Sequence, residues 1–366
     1  MEIKNNLKRH LVGTVKGWRV AKASRYAARE EVAYGSKIRL EELTPDEKKA
    51  IDRKWGGVVP DLRIGYTTYA VFKTLDRFDP DYVAGAYYYP AMIQRFNPAE
   101  DAWTLQNKGM LCNFFREIPQ PVLLLRNVNG TVWDASGRVV PFADAVCKLA
   151  AAECDMIIKP SVDSCCGTNV RVIRAGTARS DLERLLAFYD KDFVVQEFVE
   201  QSEATAAYNP SSLNTMRVGT LFLNGTFSVC CPRLRCGAKG GIVDNFAAGG
   251  IMVGIENSGK LKECGYSLDG TVHYSVNGVR FGEQTIPDFG RVVATALEAH
   301  RQIPTCAFAG WDLALAKDGR VLLIEANLTW PEIFGAQMCC GPIFGERTDE
   351  VIDFLKRPCK QSRLFY

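Results

Sequence analysis

"GWDLALAKDGRVLLIEANLTW", residues 310–330, decides how this chain is read. Two runs that are apolar on both faces flank Asp318-Gly319, a dipeptide that favours tight turns, so the stretch reads as a hairpin buried in a sheet. A two-residue turn there places Asp312 directly opposite Glu325. Asn327 lies two residues further on and shares their face. Like charges facing across a sheet destabilise it by up to about 1 kcal/mol, and by more once desolvated. Two carboxylates and an amide oxygen on one face suit Mg²⁺, which takes one or two carboxylates and fills its shell with water and phosphate oxygens. Two alternatives stand beside the metal: each acid is paired with a nearby arginine, or a one-residue bulge breaks the facing.

Working outward, 366 residues exceed one small core and imply two or three closely packed domains. Hydrophobic residues at 47% and charged residues at 24% are ordinary for a soluble globular protein, and a net charge of +3 predicts no nucleic-acid partner. No apolar run is long enough to span a bilayer, and the N-terminus lacks a signal-peptide core, which predicts a cytoplasmic chain. Thirteen cysteines without a spaced framework, and only three histidines, predict reduced thiols and no zinc site. Residues 1–31 carry eight Lys and Arg with no acid between Glu2 and Glu30. Such a basic helix can lie on an anionic membrane or form the solvated face of an N-terminal helix.

The stretch "AWTLQNKGMLCNFFREI" reads as a helix with Lys108 near its start, and "PVLLLRNVNGTVWDASGRVV" (121–140) as a hairpin turning at Asn129-Gly130. A helix over about 142–153 leads to strand "MIIKPS", a loop, strand "VRVIRA", a helix and strand "FVVQEFV". Strands and glycine-rich turns follow from 206 to a helix near 289–301. The P-loop, the dinucleotide-binding glycine fingerprint and the serine-hydrolase elbow are all missing. Lys159 ends the apolar run "DMIIK" before a loop containing Gly167. A lysine so placed can hold a phosphate while backbone N–H groups close over it, although many strands end in lysine. "VVQEFVEQSE" offers a strand edge for adenine and Glu203 for ribose hydroxyls.

The order of these elements, more than any one of them, resembles the ATP-grasp superfamily, and within it the sugar-transfer-associated ATP-grasp family. "LQNKGML", "KPS…GTNV", "VQEFV", "SLNTMRV", "VDNFAAGG" and "GWDLAL…LLIEAN" carry the likeness over about 80–345. It implies an α+β, ATP-grasp fold, with the nucleotide held between two α+β subdomains of largely antiparallel sheet. The implied divisions are an N-terminal basic helical extension (1–60), a pre-ATP-grasp region (61–110), a small lid subdomain (111–200) and a C-terminal subdomain with the metal site (201–366). Carried over residue by residue, Lys108 and Lys159 contact phosphates, and Ser164, Gly167 and Thr168 belong to a lid. Gln196, Glu197 and Val199 bind adenine, and Glu203 the ribose. Asp312, Glu325 and Asn327 hold Mg²⁺. Arg217, helped by Arg233, neutralises the γ-phosphate, while Arg235, Asp244 and Asn245 lie on the substrate side. Amino-acid ligases of the superfamily usually carry an arginine two residues before the metal aspartate; here that position is Gly310, and Arg217 is the substitute. Trp330 and Pro331 either line the acceptor pocket or cap the core.

Such a chain is expected to be an ATP- and Mg²⁺-dependent carboxylate–amine ligase working through an acyl phosphate, on small-molecule or sugar-linked substrates of cell-surface polysaccharide synthesis. A phosphotransferase with Asp244 as base, and a non-catalytic nucleotide-binding protein, are the competing expectations.

Overall fold

A computed structural model describes residues 39–357 apart from 60, 163–166, 238–240, 242–243 and 247–248. The basic segment 1–31, Ser164 and the Cys165-Cys166 pair therefore lie outside the described residues.

Two antiparallel sheets organise the chain. The smaller has five strands, β1 (Leu123–Val128), β2 (Thr131–Asp134), β3 (Met156–Pro160), β4 (Arg171–Ile173) and β5 (Phe193–Glu197), in the order β2-β1-β5-β3-β4. One face packs on the helices Phe142–Ala150 and Arg179–Tyr189, through Leu125, Met156, Ile158, Phe193 and Val195. Alternation along β3 and β5 turns Ile157, Lys159 and Gln196 to the opposite face.

The larger sheet comprises β6 (Thr215–Leu223), β7 (Thr226–Cys236), β8 (Ile251–Ile255), β9 (Leu261–Ser267), β10 (Val272–His273), β13 (Phe308–Leu315) and β14 (Val321–Asn327). Its order is β10-β9-β8-β7-β6-β13-β14, and the short strands β11 (Ser275–Val276) and β12 (Val279–Arg280) form a separate ribbon. β13 is buried along its whole length between β6 and β14, which is why its sequence is apolar on both faces. The amphipathic helix Phe289–Arg301 covers the sheet with Phe289, Val292, Ala296 and Ala299. On the other face, the helix Phe334–Cys340 joins the aromatic N-terminal region in a second core containing Tyr69, Phe72, Tyr88 and Phe308.

Pro232 sits within the central strand β7, where proline normally removes a ladder hydrogen bond. It is accommodated because Cys231 and Pro232 together oppose the single residue Val218, with Cys231 at φ 43°. This bulge re-aims the following arginines.

The fold is α+β, with helices outside two antiparallel sheets. Two local expectations need correction. The β13–β14 turn spans three residues, not two: Ala316 N–H donates to the Arg320 carbonyl, and Gly319 adopts φ 84°. Lys108 stands in a turn between the helices Ala99–Leu105 and Leu111–Phe114, because the Asn107 carboxamide accepts from the Gly109 N–H and breaks the helix there.

His300 is fully buried behind β6. Trp311 Nε1 donates to Thr220 Oγ1, so that hydroxyl hydrogen goes to His300 Nδ1, and His300 Nε2–H meets the Cys306 carbonyl at 2.8 Å. This chain of donors keeps the ring neutral. Burial pushes its pKa down to about 4 from 6.5, more than the Cys306 carbonyl raises it. The unfolded chain therefore binds a proton that the folded one refuses between those values. Full stability holds above pH 6.5, and roughly 3 kcal/mol is lost as pH falls towards 4. Urea melts should show stability declining between pH 6.5 and 5, and His300→Gln should flatten that decline.

Candidate active site

A cleft of about 720 Å³ lies between the two sheets. Ile157, Lys159, Val172 and Gln196 face it from the smaller sheet; Arg217, Arg235, Asp312 and Glu325 face it from the larger.

Asp312 pairs with Glu325 across β13 and β14, and Gly310 pairs with Asn327. The three-residue turn alone would have shifted this register by one. A bulge between Asp312 and Leu313, where Ile324 is the extra residue, shifts it back. Ile324 and Glu325 both line the cleft, whereas successive residues of a regular strand would not.

Protein cations neutralise both acids in this structure. Arg217 lies directly opposite Asp312 across β6 and β13, and its Nε and Nη2 reach the two carboxylate oxygens at 2.5 and 2.6 Å. Arg235 adds a third contact, Nη1 to Oδ2 at 2.8 Å. Burial alone would raise the Asp312 pKa, but Arg217 and Arg235 hold it well below the usual carboxylate range. Burial likewise opposes the Arg217 charge, and Asp312 outweighs it. Glu325 Oε1 accepts from Lys108 Nζ at 2.8 Å. The arginine-pairing alternative thus describes Asp312, and lysine plays that part for Glu325. Among the described residues no group of three or more His, Cys, Asp or Glu is arranged to hold a metal. A cation at this place would draw on two carboxylates and Asn327, whose Nδ2 donates to the Gly310 carbonyl at 3.3 Å.

Lys108 crosses between the sheets. Its backbone N–H donates to the Ser161 carbonyl, just past β3, while its side chain reaches Glu325 on β14. Lys159 has no ion-pair partner among the described residues; burial and the Lys108 charge push its pKa down to about 8. Arg235 also forms an ion pair with Asp244, Nη2 to Oδ1 at 3.1 Å. The other Asp244 oxygen accepts from the Thr215 N–H at 3.0 Å and from its hydroxyl, so both oxygens are engaged. Burial raises the Asp244 pKa against the pull of Arg235.

On β5, Gln196 is buried and its Oε1 has no hydrogen-bond partner among the described residues. The Glu197 N–H donates to the Val122 carbonyl and the Phe198 N–H to Asp155, while Glu197 Oε1 accepts from the Val122 N–H. The Glu197 side chain thus clasps the neighbouring segment, and Val199 lines the cleft beyond it. Gly167, Thr168, Asn245 and Asn327 line the cleft as well.

Two expected residues stand elsewhere. Glu203 is exposed in the first turn of the helix Glu203–Ala206, outside the cleft wall. Arg233 pairs with Arg217 across β6 and β7 but is buried outside the cleft wall, donating to the Cys231 carbonyl and to Glu332. The sequence reading also missed Ile157, Val172 and Ile324, apolar cleft walls flanking Lys159, Gln196 and Glu325. Two-residue periodicity about Lys159 and Gln196 signals the cleft face of those strands; the Ile324 bulge has no such signal.

No curated protein sequence matches the chain. Among solved structures it is similar to D-alanyl-alanine synthetase A from Vibrio cholerae, with 12% identity, TM-score 0.42, and coverage of 70% of this chain and 65% of that one. It is also similar to the ATP-grasp ligase PsnB complexed with a minimal precursor, Mg and ADP (16% identity, TM-score 0.40, 72% and 62%). A third is an L-amino acid ligase from Bacillus licheniformis (14%, TM-score 0.38, 71% and 49%). The chain spans less than two thirds of each of these three. The model of the sugar-transfer associated ATP-grasp family matches residues 92–352, most of the chain, and the protein belongs to that family.

Proposed function

We propose that the cleft binds ATP with Mg²⁺ and that the protein joins a carboxylate to an amine through an acyl phosphate. Lys159 carries this reading: a half-buried ammonium, without an ion pair among the described residues, feels the charge of a second lysine, Lys108. Such a pair is costly unless a polyanion lies between them. The cleft lining holds four cations (Lys108, Lys159, Arg217, Arg235) and five carboxylates (Glu197, Asp244, Asp312, Glu325, Glu332), so the pull on phosphates comes from the local placement of Lys108 and Lys159 and not from a net positive charge.

In this reading residues 111–200 form the lid and 201–366 carry the metal ligands. Lys108 and Lys159 bind phosphates, and Gly167 and Thr168 close over them with Ser164. The unpartnered Gln196 Oε1 accepts from the adenine amino group, while Glu197 and Val199 offer backbone groups. Glu203 and Arg233 are left out because they do not line the cleft. Asp312, Glu325 and Asn327 would hold Mg²⁺, whose chemistry there is to neutralise charge on the β- and γ-phosphates. Arg217 and Arg235 orient Asp312 and supply cations where charge develops on the transferred group.

A substrate carboxylate oxygen attacks the γ-phosphorus and ADP leaves. An amine then attacks the acyl carbon, phosphate departs with the bonding pair, and the amine releases its proton to solvent. None of these steps needs a histidine. A phosphotransferase would use Asp244 as its base, held by Thr215 and Arg235, and would leave a phosphoester where a ligase leaves an acyl phosphate. A cytoplasmic setting, where ATP is available, goes with this proposal; no described helix is long and apolar enough to cross a membrane.

Hydroxylamine trapping tests the reaction. With a panel of amino acids and nucleotide-sugar acids, ligase chemistry yields an acyl hydroxamate together with ADP. A stable phosphoester would instead establish phosphotransfer. The nucleotide site is tested by pH. ADP favours the charged form of Lys159, so its affinity should weaken by up to about tenfold per pH unit above pH 8, with proton uptake on binding. Calorimetry in buffers of different ionisation enthalpy measures both, and Lys159→Gln should abolish the uptake.

A further inference from the structure

Beyond Asn327 the chain is unusually well tethered. Gln106 Oε1 accepts from the Leu328 and Thr329 N–H groups at 3.2 and 3.0 Å and from Thr329 Oγ1 at 2.9 Å. The Leu328 carbonyl accepts from Asn97 Nδ2 at 2.7 Å. Trp330 follows on this fixed stem. Its indole stacks on Tyr89 with ring centroids 4.1 Å apart and planes 5° from parallel. Tyr89 is buried, yet Trp330 keeps 47% of its surface open and lines the cleft. Trp55 and Trp311, which serve the core, are fully buried. A core-capping role for Trp330 would bury the indole rather than present one face of it. An exposed large apolar group in a concave site is the informative exception to ordinary burial.

We infer that the open face of Trp330, backed by Tyr89, is a platform for a pyranose ring of the substrate, an inference that rests on the ligase reading above. The surroundings select the ring. Charged groups at this end already have partners, Glu332 with Arg233 and Asp244 with Arg235. Asn107, Ser211 and Thr329 contribute neutral amide and hydroxyl groups to the cleft. A pyranose matches both features. Its axial C–H groups lie against the negative face of the indole, and its equatorial hydroxyls meet the polar rim. A flat aromatic ring would leave the rim of hydrogen-bonding groups unmet. The tether from Gln106 means little side-chain freedom is lost on binding, so the platform is preorganised.

Saturation-transfer NMR on the full chain tests this, using methyl glycosides of glucose, galactose, N-acetylglucosamine and glucuronic acid as probes and ADP as the reference. Irradiation of the protein's aromatic protons should transfer saturation to the axial C–H protons of one face of at least one pyranoside. Trp330→Ala should weaken that transfer about tenfold, with cooperative thermal unfolding showing that the variant is folded. If the variant does not fold, the one-faced pattern in the wild-type protein decides, because a merely structural tryptophan would not produce it. No transfer to any pyranoside, with transfer to ADP intact, overturns the platform and leaves the nucleotide reading standing. Loss of transfer to ADP as well overturns both readings. Trp330-dependent binding of indole or tetramethylammonium, without the pyranosides, assigns the face to another chemistry and also overturns the inference.

Discussion

Glu325→Gln is expected to lower turnover by about 10²–10³-fold while leaving the protein as stable as the wild type to within about 1 kcal/mol. The two halves of this expectation have separate causes. Glu325 faces the cleft, and its pair with Lys108 keeps side-chain exposures of 27% and 10%. A pair open to water on one side contributes little to folding. Glutamine keeps the shape and one acceptor oxygen but loses the charge that a divalent cation requires. Mn²⁺ binding in the presence of ADP, followed by electron paramagnetic resonance, should weaken in parallel with ADP release. A variant that retains full Mg²⁺-dependent turnover would sink the assignment of Glu325 to the metal.

Asp312→Ala should behave differently, although Asp312 stands directly across the hairpin from Glu325. It is expected to cost about 3–5 kcal/mol of stability, in addition to turnover. Asp312 is 4% exposed and accepts three hydrogen bonds from two arginines that are themselves 9% and 4% exposed. Removing the carboxylate leaves two buried guanidinium groups with their charge uncompensated, apart from the Arg235 contact to Asp244. Urea denaturation should show a lower midpoint with an unchanged slope. Replacing Arg217 and Asp312 together by apolar residues should recover part of the loss, since the penalty comes from the orphaned charge more than from the missing attraction. Equal stabilities for Asp312→Ala and Glu325→Gln would contradict this account.

The neighbouring acids therefore differ in a way the hairpin sequence does not encode. Their facing was legible because side chains alternate along a strand and Asp318-Gly319 marks the turn. That reading contained a one-residue error in the turn, which the bulge at Ile324 cancels. A turn and a bulge of opposite effect cannot be separated by counting residues. Lys159 and Gln196 were legible for the same reason of periodicity. Glu203 and Arg233 were not, because the short helix Glu203–Ala206 stands outside the cleft wall and Arg233 is held by the Cys231 carbonyl and Glu332.

By itself the sequence determined the strands, the shared face of Asp312, Glu325 and Asn327, and the family, all of which follow from local spacing and motif order. Only the tertiary structure decided which cations hold those acids. Arg217 and Arg235 lie 95 and 77 residues from Asp312 in sequence, and Lys108 lies 217 from Glu325. It also decided that Trp330 stands open on Tyr89, 241 positions earlier in the chain. The physical reason is that charge compensation and burial act through space, between strands and loops whose meeting is set by sheet order.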